Sequence, residues 1–459
     1  MTRPAPDLLP HAWLGIACLG MGGSALLAYG ATGDAATQLR TTCAVAGLGG
    51  GTLVWIALDR QLARTRPGAI MLLALLVRLI ALMGMPILED DHFRYLWDGM
   101  RTATSLQPYA LPPSAFFGDP AWDETWQDVL NGINNPDIPS IYGPTLQWLF
   151  AIGYLISPAR LFGIQVLLLA VDLGTLALLT RARVPARLLL AYAVHPLVLS
   201  QSIVSAHPDG LLGLFTLAAM LAWRAERPLA TGALLGLALG TKVSAVLLLP
   251  FFLWRPPLAT PREAASRGAH VLPLALGGAF SLALLYLPFL WHHANETLAL
   301  QTFAQQWQFN PLAFRLLLAS GLSGAMARPV AVAMLALMLV GLLLHWRAAQ
   351  ARGADALWPP VDLAFAALLL VSPVVNPWYW LWGLAPSLLR RRHWAVAFGA
   401  VAFLSYFNST VLFEAGWSTS ASQSFAVAWP ITLLELACLL ACLLAQRTVR
   451  LLNPTSPTP

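Results

Sequence analysis

Apolar runs long enough to cross a lipid bilayer recur along this chain, and a single long polar segment, residues 89–143, interrupts them. A membrane helix needs about 20 apolar residues to cover the hydrocarbon core, fewer where the bilayer is thin. Three such runs precede the polar segment, near 9–29, 42–58 and 68–88. Others follow near 160–180, 187–204, 210–223, 229–241, 243–254, 271–290, 329–346, 361–374, 376–389, 394–413 and 425–445. Residues 144–157 and 311–323 are apolar but short, and are expected as helices that do not span. The first run, Leu8 to about Tyr29, outlasts a signal-peptide core and lacks a small-x-small cleavage site, so it is expected to remain as a helix. The expected fold class is an all-α polytopic membrane protein with about 12–14 transmembrane helices. It is expected to form one membrane domain over 1–459: two N-terminal helices in 1–67, a central module in 68–254 bearing the polar loop, and C-terminal helices in 255–459.

Composition removes the soluble alternative. Of the 459 residues 58% are hydrophobic and 10% charged, against roughly 25% charged in an ordinary soluble domain. So few charges cannot cover a globular surface in water. The net charge of +6 is therefore read as a topology signal and not as a nucleic-acid footprint. With the N-terminus inside, the inner loops collect nineteen arginines, among them Arg60, Arg181, Arg224, Arg347 and the run Arg390 to Arg392. The outer side keeps Arg40, Arg94, Arg101, Arg315, Arg328 and Lys242. That bias places both termini in the cytoplasm and the loop 89–143 outside an inner (plasma) membrane. The four cysteines lie in apolar stretches without metal-ligand spacing.

On that path six polar motifs share the outer side: "EDDHFRYLWDG", "NNPDIPSIYGP", "SAHPDG", the "GTK" turn, "FAQQWQFNP" and "SPVVNPWYW". An outward-facing active site requires that convergence. If the residues after Asp90 are helical, Asp91, Arg94, Tyr95 and Asp98 share one face. Phe93, Leu96, Trp97 and Met100 then form an apolar face able to lie on the membrane surface. Asp91 reads either as a carboxylate base held by Arg94 or as a helix cap. Asp209 before Gly210 reads either as an N-terminal cap or as a substrate-site residue, and His207 alone is an ordinary loop histidine. Lys242 is the sole lysine, between two apolar runs. An ionisable residue at that depth is a functional hypothesis, with snorkelling from a hairpin turn as its alternative. Asp172, Glu435 and Arg78 read as structural hydrogen-bonding groups within the bundle. The rings around Trp307 and in "NPWYWLW" read as an interfacial aromatic belt. No P-loop, dinucleotide fingerprint, HExxH or GxSxG is present, so nucleotide and nicotinamide chemistry are not indicated.

The string "DDHFRYLWDGMRTATSLQPYALPP" followed by "INNPDIPSIYGPTLQWLF" resembles bacterial GT-C class membrane glycosyltransferases, of the family 87 and polyprenyl-phosphate-mannose-dependent mannosyltransferase kind. "SAHPDG", "GTKVSAVLLLPF", "WQFNPLAF" and "NPWYWLW" resemble later landmarks in similar order, and the likeness spans about residues 86–390. The GPI-anchor mannosyltransferase is similar in a looser way. The resemblance implies many helices around a lipid-facing cleft, a catalytic module in 68–254, a lipid-linked sugar as donor and a catalytic carboxylate on the Asp90–Asp91 pair. "YGP" stands where "YPP" is usual, and Gln107 precedes Pro108-Tyr109 where Gly or Asn is common.

Transfer of a sugar from a polyprenyl phosphate to a hydroxyl needs a base for the nucleophile and cations for the departing phosphate. Asp91, or Asp90, would be the base. Lys242 would hold the phosphate, with Arg94, His207 or Arg315 as further candidates. Asp209, Tyr142, Trp307 and Asn310 complete the expected substrate-binding set. The expected partners are a polyprenyl-phosphate sugar with mannose favoured, a lipid or glycan acceptor, and membrane lipids, with no nucleic acid. A divalent metal is compatible with this chemistry but not required. Two other readings stay open: a lipid or sugar transporter or flippase, and a ligase using a polyprenyl-diphosphate glycan.

Overall fold

The computed structural model describes residues 9–30, 35–86, 89–254, 261–292, 295–352, 358–407 and 427–452. Residues 87–88, 408–413 and 425–426 of the expected runs lie outside them, as do Arg3 and Arg255 of the inner-loop set. In chain order the helices used below are α1 (Leu9–Gly30), α2 (Ala35–Leu58), α3 (Pro67–Ala81), α4 (Asp91–Ser105), α5 (Glu124–Asn131), α6 (Pro144–Ile156) and α7 (Phe162–Arg181). They continue with α8 (Ala186–Ala193), α9 (Gly210–Arg224), α10 (Pro228–Thr241), α11 (Leu249–Leu253), α12 (Pro261–Leu290), α13 (Thr297–Gln306) and α14 (Ala313–Ala319). The last are α15 (Gly324–Ala351), α16 (Val361–Val371), α17 (Leu381–Leu389), α18 (Trp394–Val401) and α19 (Trp429–Leu452). The protein is an all-α polytopic membrane protein. Among the described residues the recorded extended pairing is one isolated bridge, Phe309 to Val374.

Among the described residues four helical stretches are long and apolar enough to cross a membrane: Arg40–Leu58, Phe162–Arg181, His270–Leu290 and Gly324–Ala351. The other expected runs hold shorter apolar helices or broken ones, and the breaks have local causes. The run 187–204 becomes α8 and a π-helical stretch Val198–Val204, bent by 50°, with Pro196 between them. Proline lacks the N–H that would continue the ladder and clashes with the preceding turn. The run 68–88 stops at Ala81, ahead of Gly84 and Pro86. At the "GTK" turn α10 ends on Thr241, Lys242 is extended, and a 3₁₀ turn Val243–Leu248 leads into α11. Fourteen residues of α10 rise only about 21 Å, short of the ~30 Å hydrocarbon core.

The chain divides into two compact units, neither contiguous in sequence: residues 1–88, 173–205 and 387–459, and residues 89–172 and 206–386. In the first, Arg78 is fully buried and donates through Nη1 to the Ala74 carbonyl at 3.1 Å and the Ala193 carbonyl at 2.5 Å. Its guanidinium therefore ties α3 to α8, the structural role expected for it.

The second unit contains five of the six polar motifs entire and, of "SAHPDG", all but Ser205. Its packing centre is the α4–α6 pair, where Gly99 lets the backbones meet: a Cβ there would stand 2.5 Å from the Phe150 carbonyl oxygen. Leu96, Trp97 and Met100 are buried in the same cluster as Leu146, Leu149 and Phe150. The loop folds back over this face. Trp97 meets Trp122 edge-on at 5.2 Å, and Phe116 packs at the same distance. Helix α5 is capped by Asp123, whose carboxylate accepts from the Trp126 amide at 3.0 Å. The apolar face of α4 is thus covered by protein and does not lie on the membrane surface. Burial of each large ring or aliphatic group is worth about 1.5–3 kcal/mol, and loop residues supply the cover that lipid was expected to give.

Candidate active site

Asp91 opens α4, and its carboxylate does not cap the helix. The amide of Asn134 donates to Asp91 at 2.9 Å and also hydrogen-bonds Asp90. One side-chain amide therefore holds both acids. On its other side Asp91 faces the His207 imidazole, Nε2 to Oδ2 3.6 Å, with the carboxylate 21% exposed. Burial pushes the Asp91 carboxyl up, but His207, the Asn134 amide and the Lys242 charge outweigh it and hold it below the usual carboxylate range. Asp90 moves the other way: burial and the neighbouring Asp91 charge raise it more than Asn134 lowers it. Asp91 also lines a cavity of about 70 Å³, which Asp90 does not. The two adjacent acids are therefore not equivalent.

A buried network ties the segment that follows Asn134 to α4 and α6. Asp98, fully buried, accepts from Arg94 Nε at 2.9 Å and Gln147 Nε2 at 3.2 Å, and pairs with the Ser140 hydroxyl. Arg94 Nη1 donates to the Ile138 carbonyl at 3.0 Å, and Nη2 has no hydrogen-bond partner. Arg94 thus pins the loop to α4 and does not orient Asp91 directly. Tyr142 lies just beyond; its carbonyl accepts from the Tyr109 hydroxyl of the "QPY" turn at 2.8 Å. Next to it Gly143 abuts α10. A Cβ on Gly143 would come 2.3 Å from the Gly240 carbonyl oxygen, so this "YGP" needs its glycine.

The opposite wall comes from "SAHPDG", "GTK" and "NPWYWLW". Asp209 makes no cap. It accepts from Trp382 Nε1 at 2.6 Å and pairs with Lys242 Nζ at 3.0 Å. The ammonium also stands 4.3 Å from the Tyr379 ring centre and 5.1 Å from that of Trp382, both favourable for a cation. His207 is fully buried and stacked on Trp378 at 3.7 Å. The rings of "NPWYWLW" are therefore an internal cage, not an interfacial belt: Trp378, Tyr379, Trp380 and Trp382 are each buried. The "FAQQWQFNP" segment joins them through the bridge, with Phe309 N to the Pro373 carbonyl at 3.0 Å and Val375 N to the Phe309 carbonyl at 2.8 Å. Asn310, at φ +43°, turns the chain there, a conformation that asparagine tolerates better than most residues.

All six motifs meet at the small cavity, which Asp91, Arg94, Tyr142, Asp209, Lys242, Trp307 and Asn134 help to line. A second cavity, about 700 Å³, shares Tyr142, Lys242, Phe303 and Tyr379 with it. Its other walls are mostly aliphatic, including Leu239, Leu300, Val332, Leu335 and Leu368. The remaining expected residues are placed differently. His207 is sealed behind Asp91 and Trp378 and lines neither cavity, nor do Arg315 and Asn310. Asn134 and the cage around Lys242 were not foreseen. The only sequence signal for Asn134 was a side-chain amide in the polar loop, and a sequence carries no trace of which acid an amide will find. Among the described residues no group of three or more His, Cys, Asp or Glu is arranged to hold a metal ion.

A family model described as Alpha-(1->6)-mannopyranosyltransferase, N-terminal domain, matches residues 21–256, just over half of the chain. No curated protein and no solved structure matches.

Proposed function

The chain belongs to the alpha-(1->6)-mannopyranosyltransferase family, and on that premise we propose that its second unit transfers mannose from a polyprenyl-phosphate donor to an acceptor hydroxyl, with Asp91 as the base. The protein is a glycosyltransferase, which removes the transporter reading. The family description also favours an α-(1→6) product. The observation that carries the proposal is one junction: Asp91 and Lys242 line the same small cavity, and Lys242 lines the large aliphatic cavity beside it.

The chemistry follows from that junction. The prenyl chain lies in the large cavity, whose size falls within the usual range for ligand pockets, roughly 300–1,000 Å³. Its phosphate sits at Lys242, where two of the three ammonium hydrogens remain free of Asp209. The acceptor hydroxyl enters beside Asp91 and gives it a proton as its oxygen bonds the anomeric carbon. The bond from that carbon to the phosphate oxygen breaks, and the phosphate leaves with the electron pair, its charge met by Lys242. Asp91, held ionised, accepts the proton without first losing one. The reaction is proposed to take place on the outer side of the inner membrane, as the arginine distribution supports.

Purified protein in nanodiscs with radiolabelled polyprenyl-phosphate mannose and a short mannoside acceptor tests the reading. Wild type should transfer label, and Asp91→Asn should lose at least about 10²-fold in turnover while still binding donor. Asp90→Asn should cost less. Normal turnover in both variants removes the base assignment, and no transfer by wild type removes the donor.

A further inference from the structure

Beyond the family-matched residues, the second unit sets one more carboxylate on the large cavity. Glu296 precedes α13, yet its side chain makes no cap. It is 7% exposed and lines the cavity. One oxygen accepts from the Tyr286 hydroxyl, and the other, Oε2, has no hydrogen-bond partner. No recorded ion pair involves it among the described residues. Arg328, which lines the same cavity, donates from Nε, Nη1 and Nη2 to the backbone carbonyls of Ala304, Gly324 and Trp307. Thr297 and Gln301, on the same helix, also line the cavity.

A buried carboxylate oxygen without a donor is costly, and the group is tolerated where a ligand supplies one. A prenyl chain has no donor to give. A phosphate is repelled by the like charge. A sugar hydroxyl satisfies the oxygen, and Thr297 and Gln301 bring further hydrogen-bonding side chains to the lining of the same cavity. We infer that Glu296 binds a sugar hydroxyl of a substrate, so that the stretch of cavity wall at Glu296 is a carbohydrate subsite. The inference rests on mannosyl transfer taking place at this site. The hydroxyl belongs either to the acceptor glycan or to the donor mannose.

Steady-state kinetics on the full chain with Glu296→Gln separate the two. The variant should raise KM about tenfold, the loss of one charge-assisted hydrogen bond, for one sugar substrate and leave the other within about twofold, with kcat largely retained. A rise in acceptor KM assigns the acceptor; a rise in donor KM assigns the donor mannose. A panel of monodeoxy sugars on the affected side should contain one whose penalty in wild type disappears in the variant, a coupling that a purely structural role would not produce. Glu296→Asp keeps the charge and withdraws it by one methylene, and should raise the same KM if the Gln variant does not fold. Unchanged KM values for both substrates, or fully additive deoxy penalties, overturn the inference. Asp91→Asn in the same assay reports separately on the transfer site. Should wild type not use the polyprenyl-phosphate donor, methyl α-mannoside titrated against tryptophan fluorescence decides the matter: equal affinity in wild type and Glu296→Gln overturns the subsite.

Discussion

Asp91 and Lys242 each work through neighbours, and their variants should show it. Because its carboxyl is held below the usual range, Asp91 stays ionised as pH falls past the ordinary carboxylate value of about 4. The acid limb of kcat/KM should therefore lie below that value, with no loss between pH 8 and about 5 from this group. His207→Gln removes the imidazole beside Asp91 and should move the limb upward. An unmoved limb would show that His207 does not act on the proposed base. The same sign governs folding: the stabilisation is present above the unfolded-state value and is lost as pH falls through the depressed one. Lys242→Met should weaken donor binding by about one to two orders of magnitude. It also strands the buried Asp209 carboxylate, which is 2% exposed, at a stability cost of about 3–5 kcal/mol. The double variant Lys242→Met/Asp209→Asn should recover stability without recovering donor affinity. Equilibrium binding of the donor beside thermal unfolding checks both halves.

At the scale of elements, the site depends on a loop locked against two helices. The Asp98 network holds residues 138–142 to α4 and α6, while Gly143 seats the loop against the end of α10. Gly143→Ala puts a methyl group into the Gly240 carbonyl, and relief requires Tyr142 and Lys242 to separate. The expected result is a loss of about 1–3 kcal/mol, seen as a lower unfolding temperature, together with slower turnover. Gly118→Ala is the control. Gly118 has φ +70° and open space around its Cβ position, so it should lose stability without losing rate. Equal turnover defects in the two would mean that general stability, and not the Tyr142–Lys242 spacing, sets the rate.

At the scale of the whole molecule the arginine distribution gives a definite expectation of sidedness. A cysteine at position 114, in a background lacking Cys18, Cys43, Cys438 and Cys442, should react with an impermeant thiol reagent in intact cells. Cysteines beside Arg181, Arg224 and Arg390 should react only after the membrane is opened. Labelling of position 114 only after opening would overturn the outward-facing site.

The sequence by itself determined the membrane class, the order of the six polar motifs and the residue types proposed to carry the chemistry. These follow from composition and run length, which report the solvent each segment requires. The expectation that six motifs converge rested on charge counting along the chain, and the structure brings all six to one cavity. Partnership was not legible. Asn134 reaches Asp91 across 43 positions and Trp382 reaches Asp209 across 173, distances at which no local periodicity operates. The rings of "NPWYWLW" were expected at the membrane boundary because an aromatic belt and a buried cage use the same amphipathic residues. Leu96 and Trp97 were expected against lipid because an apolar helix face does not specify what covers it. Glu296 carried no signal, being one acid among others outside the expected spans. What makes it informative is an oxygen left unpaired on a cavity wall, and that arises only when α12 and α13 are docked in three dimensions.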